Sequence, residues 1–266
     1  MAMRFCILGS GSAGNCALLE TENARVLVDA GFSARKLGQL LAAVGCALEK
    51  IDAIFVTHEH GDHSSGIKGL AKLPAIQVFA NASTARAIQA GLEFRPAWQI
   101  FQTGSRFRFR DLEVHAFAVP HDAQEPVGFR FVHGFEDDLF APARSISWIT
   151  DLGHATDHVR QHVHLSDVVV VESNHCSELL KADTKRPWPV KQRICGRHGH
   201  LSNQSARELL QSAASERWQH VYLTHLSRDC NSLEAVQRTF ADASPWLRCP
   251  LSIVAPGGGT PFFQLQ

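Results

Sequence analysis

Ile51 to Thr57 has the apolar character of a buried strand, and its end runs directly into Thr57-His58-Glu59-His60-Gly61-Asp62-His63. In His58-x-His60-x-Asp62-His63, four potential metal ligands fall within six residues. A turn after a strand can aim such side chains in different directions, whereas one continuous helix could not make all four converge. Imidazole nitrogen and carboxylate oxygen suit zinc, manganese or iron, and the run holds no cysteine that would close it into a structural zinc knot. A chain that ends a strand this way needs a fold that gathers further strand ends along the same edge.

The rest of the sequence supplies such strands. Phe5 to Leu8, Ala17 to Glu20 and Val26 to Asp29 read as a short β-meander, and Ser33 caps a helix through Leu37, Leu40, Leu41 and Val44 that stops at Gly45. Helical spacing from Ser64 to Leu73, a strand at Ile76 to Ala80 and a helix at Ser83 to Ala90 extend this into a β-α-β-α order. Arg106 to Val119 switches to period two, a hairpin turning at Asp111, followed by strands at Val127 to Val132 and Ser145 to Thr150. Strands at Val168 to Glu172, Val221 to Thr224 and Leu251 to Ala255 alternate with helices at Ser205 to Ser212 and Leu233 to Ala241. This is a layered α/β pattern. Layered sheets place functional groups where strands end. His121, Asp151 and His225 each follow a strand and lead into a polar or glycine-bearing loop, so they join the candidate ligand set.

A chain of 266 residues with 45% hydrophobic content can bury a sizeable core, and residues 1–266 are read as one domain. Lysine plus arginine equal aspartate plus glutamate at 26 each, so no global field draws the protein to a polyanion and any such partner needs a local patch. The seven cysteines form no C-x-x-C pair and read as reduced thiols. Met1 to Gly9 lacks the charged-then-apolar signature of an export signal, and no apolar stretch reaches the roughly 18 residues of a membrane span. These features predict a soluble cytoplasmic protein with no membrane partner. They leave its oligomeric state open.

The series His58-x-His60-x-Asp62-His63, His121, Asp151 and His225 resembles the motif series of the metallo-β-lactamase superfamily. That resemblance implies a four-layer αββα sandwich. It also implies two divalent metal ions per chain, zinc or manganese, with iron a further option. One would be held by His58, His60, His121 and Asp151, and the other by Asp62, His63, Asp151 and His225, with Asp151 bridging. Gly9-Ser10-Gly11-Ser12-Ala13-Gly14-Asn15, Thr150-Asp151-Leu152-Gly153-His154, Glu172-Ser173-Asn174-His175, Gly199-His200-Leu201-Ser202-Asn203 and Thr224-His225-Leu226-Ser227 further resemble the YycJ/WalJ branch. This implies 5′-to-3′ exonuclease action on double-stranded DNA. Cys176 and Asp229-Cys230-Asn231 depart from the branch pattern without touching the ligands.

Two cations about 3.5 to 4 Å apart lower the pKa of a shared water toward neutrality, and Asp62 is placed to orient it. His200, tuned by Glu172 at another strand end, is the candidate proton donor to the leaving oxygen. Lys181 to His200 reads as an irregular insertion in which six basic residues face one acid and Trp188 stands between prolines, a composition suited to phosphate contact and base stacking. Arg106, Arg108 and Arg110 share a strand face that reads as the wet side of a hairpin.

Four other readings compete. Gly9-x-Gly11-x-x-Gly14 mimics a dinucleotide fingerprint, but Asn15 to Arg25 is too short and too polar for a crossover helix. A glyoxalase II-type thioesterase shares the histidine run but usually adds a C-terminal helical domain, and an exported lactamase would need a signal. A metal-binding regulatory protein would have lost ligands, and none is missing.

Overall fold

The computed structural model describes residues 3–70, 73, 75–134 and 143–266. The first half contains β1 (Arg4–Gly9), β2 (Cys16–Glu20), β3 (Arg25–Val28), α1 (Ala34–Ala43), β4 (Ala53–Phe55), α2 (Gly61–Ser64), β5 (Gln77–Asn81), α3 (Ala82–Gln89) and β6 (Ala97–Phe101). The second half contains β7 (Arg106–Phe109), β8 (Leu112–Ala118), β9 (Val127–His133), β10 (Arg144–Ile149), α4 (Asp157–His164), β11 (Val168–Glu172), α5 (Ser177–Ala182), α6 (Trp188–Cys195), α7 (Asn203–Ser212), β12 (His220–Thr224), α8 (Leu233–Phe240) and β13 (Leu251–Ile253). A last strand, β14 (Phe263–Gln264), returns to the first half and pairs with β1.

Two mixed sheets result, ordered β14-β1-β2-β3-β4-β5-β6 and β13-β12-β11-β10-β9-β8-β7. Both follow the same plan, an antiparallel meander that continues as parallel strands from β3 to β6 and from β10 to β13. The sheets pack face to face through aromatic side chains. Phe55 of β4 stacks on Phe79 of β5 at 4.6 Å and meets Phe131 of β9 edge-on at 5.2 Å, while Phe5 meets Tyr222 at 5.3 Å. Burying each such side chain contributes about 1.5–3 kcal/mol. The outer face of the first sheet is covered by α1 and α3 through Leu37, Leu41, Ala85 and Ile88. That of the second is covered by α4, α7 and α8 through Val159, Val163, Leu209, Leu210, Val236 and Phe240. The layering is αββα, as expected.

Several local expectations shift. The helix expected over Ser64 to Leu73 is α2 followed by a 3-10 segment, Ser65–Leu70, and Ala71 and Lys72 lie outside the described residues. Strand β6 and helix α4 carry too few regularly spaced apolar residues to announce themselves. The supposedly irregular Lys181 to His200 segment contains helix α6 and the end of α5. Its prolines start a helix rather than break one, because Pro187 is the N-cap and Pro189 lies in the first turn, where a missing N–H costs nothing. The Gly9 to Asn15 turn joins antiparallel strands, which excludes the dinucleotide unit.

Candidate metal centre

The parallel strands of both sheets end on one edge, and the expected ligands stand there. The histidine run follows β4, Asp151 follows β10, Glu172 closes β11, His225 follows β12, and His121 lies just beyond β8. Asp151 (φ 55°) and His225 (φ 53°) have left-handed backbone, as does Asp29 (φ 61°) after β3. Non-glycine residues adopt that conformation at a cost of order 1–3 kcal/mol, and such residues cluster at functional sites. The turn at the end of each strand aims its side chain at the common centre.

Seven side chains converge. Within the first group, His58 Nε2 lies 3.0 Å from His60 Nδ1, which is 3.3 Å from His121 Nε2. In the second, Asp62 Oδ2 lies 3.6 Å from His63 Nε2 and 3.4 Å from His225 Nε2. Asp151 stands between them, Oδ2 at 2.8 Å from His63 Nε2 and Oδ1 at 3.8 Å from His121 Nε2. These residues form overlapping triads, among them His58/His60/His121 and Asp62/His63/His225, whose donor atoms lie within 4.8 Å of one another. Nitrogen lone pairs facing each other across such gaps, with acidic oxygens between, form the donor set of a divalent metal centre.

The opposite ring nitrogens are tied down, which decides whether the set fits a metal. His63 Nδ1 donates to Asp29 Oδ2 at 2.7 Å, and His121 Nδ1 donates to the Gly199 carbonyl at 2.9 Å. Thr57 Oγ1 donates to Asp29 and lies 3.0 Å from His58 Nδ1, from which it accepts. Each anchored proton leaves Nε2 as the atom that would ligate a metal, in the tautomer that a metal needs.

Close backbone packing makes this possible. A Cβ on Gly31 would sit 1.7 Å from the Asp62 carbonyl, so only glycine lets the β3 loop lie against the ligand turn. Gly199 is equally constrained, since its Cβ would meet the Arg193 and Ile194 carbonyls at 2.2 Å. Helix α6 therefore supports the loop whose carbonyl orients His121. The Ser10 hydroxyl accepts from His225 N–H, and Asn15 Nδ2 lies 3.1 Å from His63 Nε2, so the N-terminal turn joins ligand loops of both sheets.

Glu172 is fully buried. Its Oε1 accepts from Leu152 N–H and Leu201 N–H, while Oε2 lies 3.0 Å from His200 Nδ1 and 3.3 Å from His225 Nδ1. Burial opposes ionisation of Glu172, but His200 and His225 outweigh it and hold the carboxyl at about 2. Burial opposes charge on His225 too, yet Asp151, Asp62 and Glu172 push its pKa up to about 10. Asp151 lies well below the usual carboxylate range because nearby imidazoles overcome its desolvation. His58, surrounded by other imidazoles, is driven down chiefly by burial.

A cavity of about 250 Å³ opens onto the centre, lined by Ser12, His60, Asp62, His121, Asp122, Asp151, Val190, Arg193, Ile194, Gly199, His200 and His225. His200 reaches it with its side chain 21% exposed, whereas Glu172 does not. Sequence reasoning overlooked Asp29 as an orienting group and Asp122 beside His121. The strand-end rule that found Asp151 applies equally to Asp29.

A family model described as a beta-lactamase superfamily domain matches residues 24–226. The chain belongs to the metallo-β-lactamase superfamily. Among curated members it is 35% identical over 246 residues to exodeoxyribonuclease WalJ of Streptococcus pneumoniae, covering 91% of this chain and 88% of the relative. It is 34% identical over 236 residues to exodeoxyribonuclease YycJ of Bacillus anthracis, covering 88% and 86%. The fold is shared with the metallo-β-lactamase-fold protein YhfI of Bacillus subtilis (TM-score 0.70, 16% identity, 98% of this chain and 99% of that one). This superfamily membership makes the chain a metal-dependent hydrolase, and the converging histidines and aspartates are its candidate centre. None of the helices among the described residues is long and apolar enough to cross a membrane.

Proposed function

We propose that this chain is a 5′-to-3′ exonuclease of double-stranded DNA working with two divalent ions, zinc or manganese. The observation that carries the reading is the convergence of all seven candidate ligands, with His200 held by Glu172 beside the same cavity, in a chain similar over most of its length to exodeoxyribonucleases.

His58, His60, His121 and Asp151 would hold one ion, and Asp62, His63, Asp151 and His225 the other. Bound there, the ions would bring the pKa of water toward neutrality and would neutralise charge gathering on the phosphoryl oxygens. Asp62, 24% exposed and the more accessible of the two ligand carboxylates, orients the attacking water. His200 lines the cavity with Nδ1 pinned by Glu172, which leaves Nε2 to donate the proton that the leaving oxygen requires. Glu172 touches no substrate; it fixes His200 and His225 relative to each other.

The test is to incubate the manganese- or zinc-loaded protein with end-labelled duplex DNA, single-stranded DNA, RNA and S-lactoylglutathione in parallel. Faster degradation of the duplex from its 5′ end is expected. Hydrolysis of the thioester alone would overturn the reading.

A further inference from the structure

The six basic residues between Lys181 and His200 have very different environments. Lys185 pairs with Asp229 at 2.6 Å, and Arg186 pairs with Asp183 at 3.0 Å and Asp229 at 3.1 Å. Lys191 is buried and donates to the Lys181 and Asp183 carbonyls, while Arg197 Nη2 lies 3.4 Å from His154 Nε2. Most of the basic charge thus holds the α5–α6 segment in place. Arg193 differs, being the only lysine or arginine among the residues lining the metal cavity.

Its chemistry is that of a waiting clamp. Only Nε of the guanidinium is engaged, by Asp122 Oδ2; the Nη donors have no hydrogen-bond partner among the described residues. That leaves the planar fork that binds phosphate in two-pronged fashion. Asp122 also places Oδ1 3.3 Å from His121 Nε2, so the clamp's base stands beside the candidate ligands. Val190 and Ile194 occupy the same face of α6 and line the cavity along with Arg193, providing apolar surface for sugar or base. Apart from the histidines, the other titratable groups of the lining, Asp62, Asp122 and Asp151, are acidic and would repel a polyanion.

We propose that Arg193, held over the cavity by Asp122, grips the phosphate next to the one being cut and so positions the DNA strand end. This inference rests on the nuclease reading. The metals can serve the scissile phosphate, but a neighbouring phosphate lies beyond them and needs its own cation.

The experiment compares wild type, Arg193→Gln and Arg193→Lys on duplex DNA and on bis(4-nitrophenyl) phosphate, a diester with no neighbouring phosphate. Binding to a phosphorothioate-blocked duplex is followed by anisotropy. For Arg193→Gln, KM for DNA and the blocked-duplex Kd should rise roughly tenfold or more, with kcat nearly kept, as expected for a lost charged hydrogen bond. The salt slope should shrink by about one, and the small diester should be hydrolysed as before. Arg193→Lys, which keeps the charge without the fork, should recover part of the DNA affinity. Unchanged DNA KM and Kd would overturn the proposal. Equal losses on both substrates would also do so, by making Arg193 a prop for the metal centre. A wild-type protein that hydrolyses the small diester but leaves DNA intact would instead overturn the nuclease reading, and the clamp with it.

Discussion

Asp29 Oδ2 lies 2.7 Å from His63 Nδ1, with both side chains fully buried. The same carboxylate accepts from Thr57 N–H and the Thr57 hydroxyl, and that hydroxyl stands 3.0 Å from His58 Nδ1. One aspartate outside the candidate ligand set therefore orients two candidate ligands, one from each proposed metal group.

Asp29→Asn tests this. The amide can accept at one atom only, so either His63 or Thr57 loses its acceptor. Metal affinity should fall about 10–100-fold, the usual effect of removing a group that orients a ligand. Competition with a chromogenic chelator measures it, and an unchanged affinity would show that the pair has no part in metal binding.

The Glu172–His200 pair makes a pH prediction. Burial disfavours the imidazolium of His200, but Glu172 and Asp151 overcome this and raise its pKa. A proton donor works only below its pKa, so activity should fall on the alkaline side. In Glu172→Gln that fall should begin at lower pH, because the raising charge is gone. His200→Ala should reduce kcat by roughly 10²- to 10⁴-fold, the range of general acid catalysis. Profiles of kcat against pH for wild type and Glu172→Gln decide the matter, and coincident alkaline limbs would remove His200 from the donor role.

A second pH effect concerns stability, away from the centre. His162 of α4 stacks on Phe117 at 4.0 Å, and burial with the nearby His158 and His115 lowers its pKa to about 3. The unfolded chain protonates this histidine near its ordinary 6.5, so below that pH the unfolded state binds the extra proton and the native state loses stability. Its contribution is complete above pH 6.5 and declines toward about pH 3. In His162→Phe, which keeps a ring against Phe117, Tm should decline less steeply with acidification, as read by thermal melts at stepped pH. Parallel slopes would contradict the assignment.

The centre was more legible in the sequence than the frame around it. His58 to His63 announces itself because four ligand-type residues in six have few other uses, and one rule about strand ends then located His121, Asp151 and His225. Asp29 escaped because a lone carboxylate after a strand has no chemical signature until its partner, His63, is seen beside it. Helix α4 was missed because only Val159 and Val163 of its eight residues are buried, too few for a periodic signal. Strand β6 sits at a sheet edge with Ile100 more than half exposed, so alternation is lost, and two-residue β14 exists only because β1 offers it a partner. Lys181 to His200 reads as irregular from its composition, though Pro187 and Pro189 fit the start and first turn of α6.

The central claim is most directly tested by following a duplex labelled on one strand at the 5′ end, and in parallel at the 3′ end, with manganese-loaded wild type and Asp62→Ala. The account predicts early release of the 5′ label as a mononucleotide, later release of the 3′ label, and loss of both in the variant. Release from the 3′ end first, internal cuts, or unchanged cleavage by Asp62→Ala would contradict it.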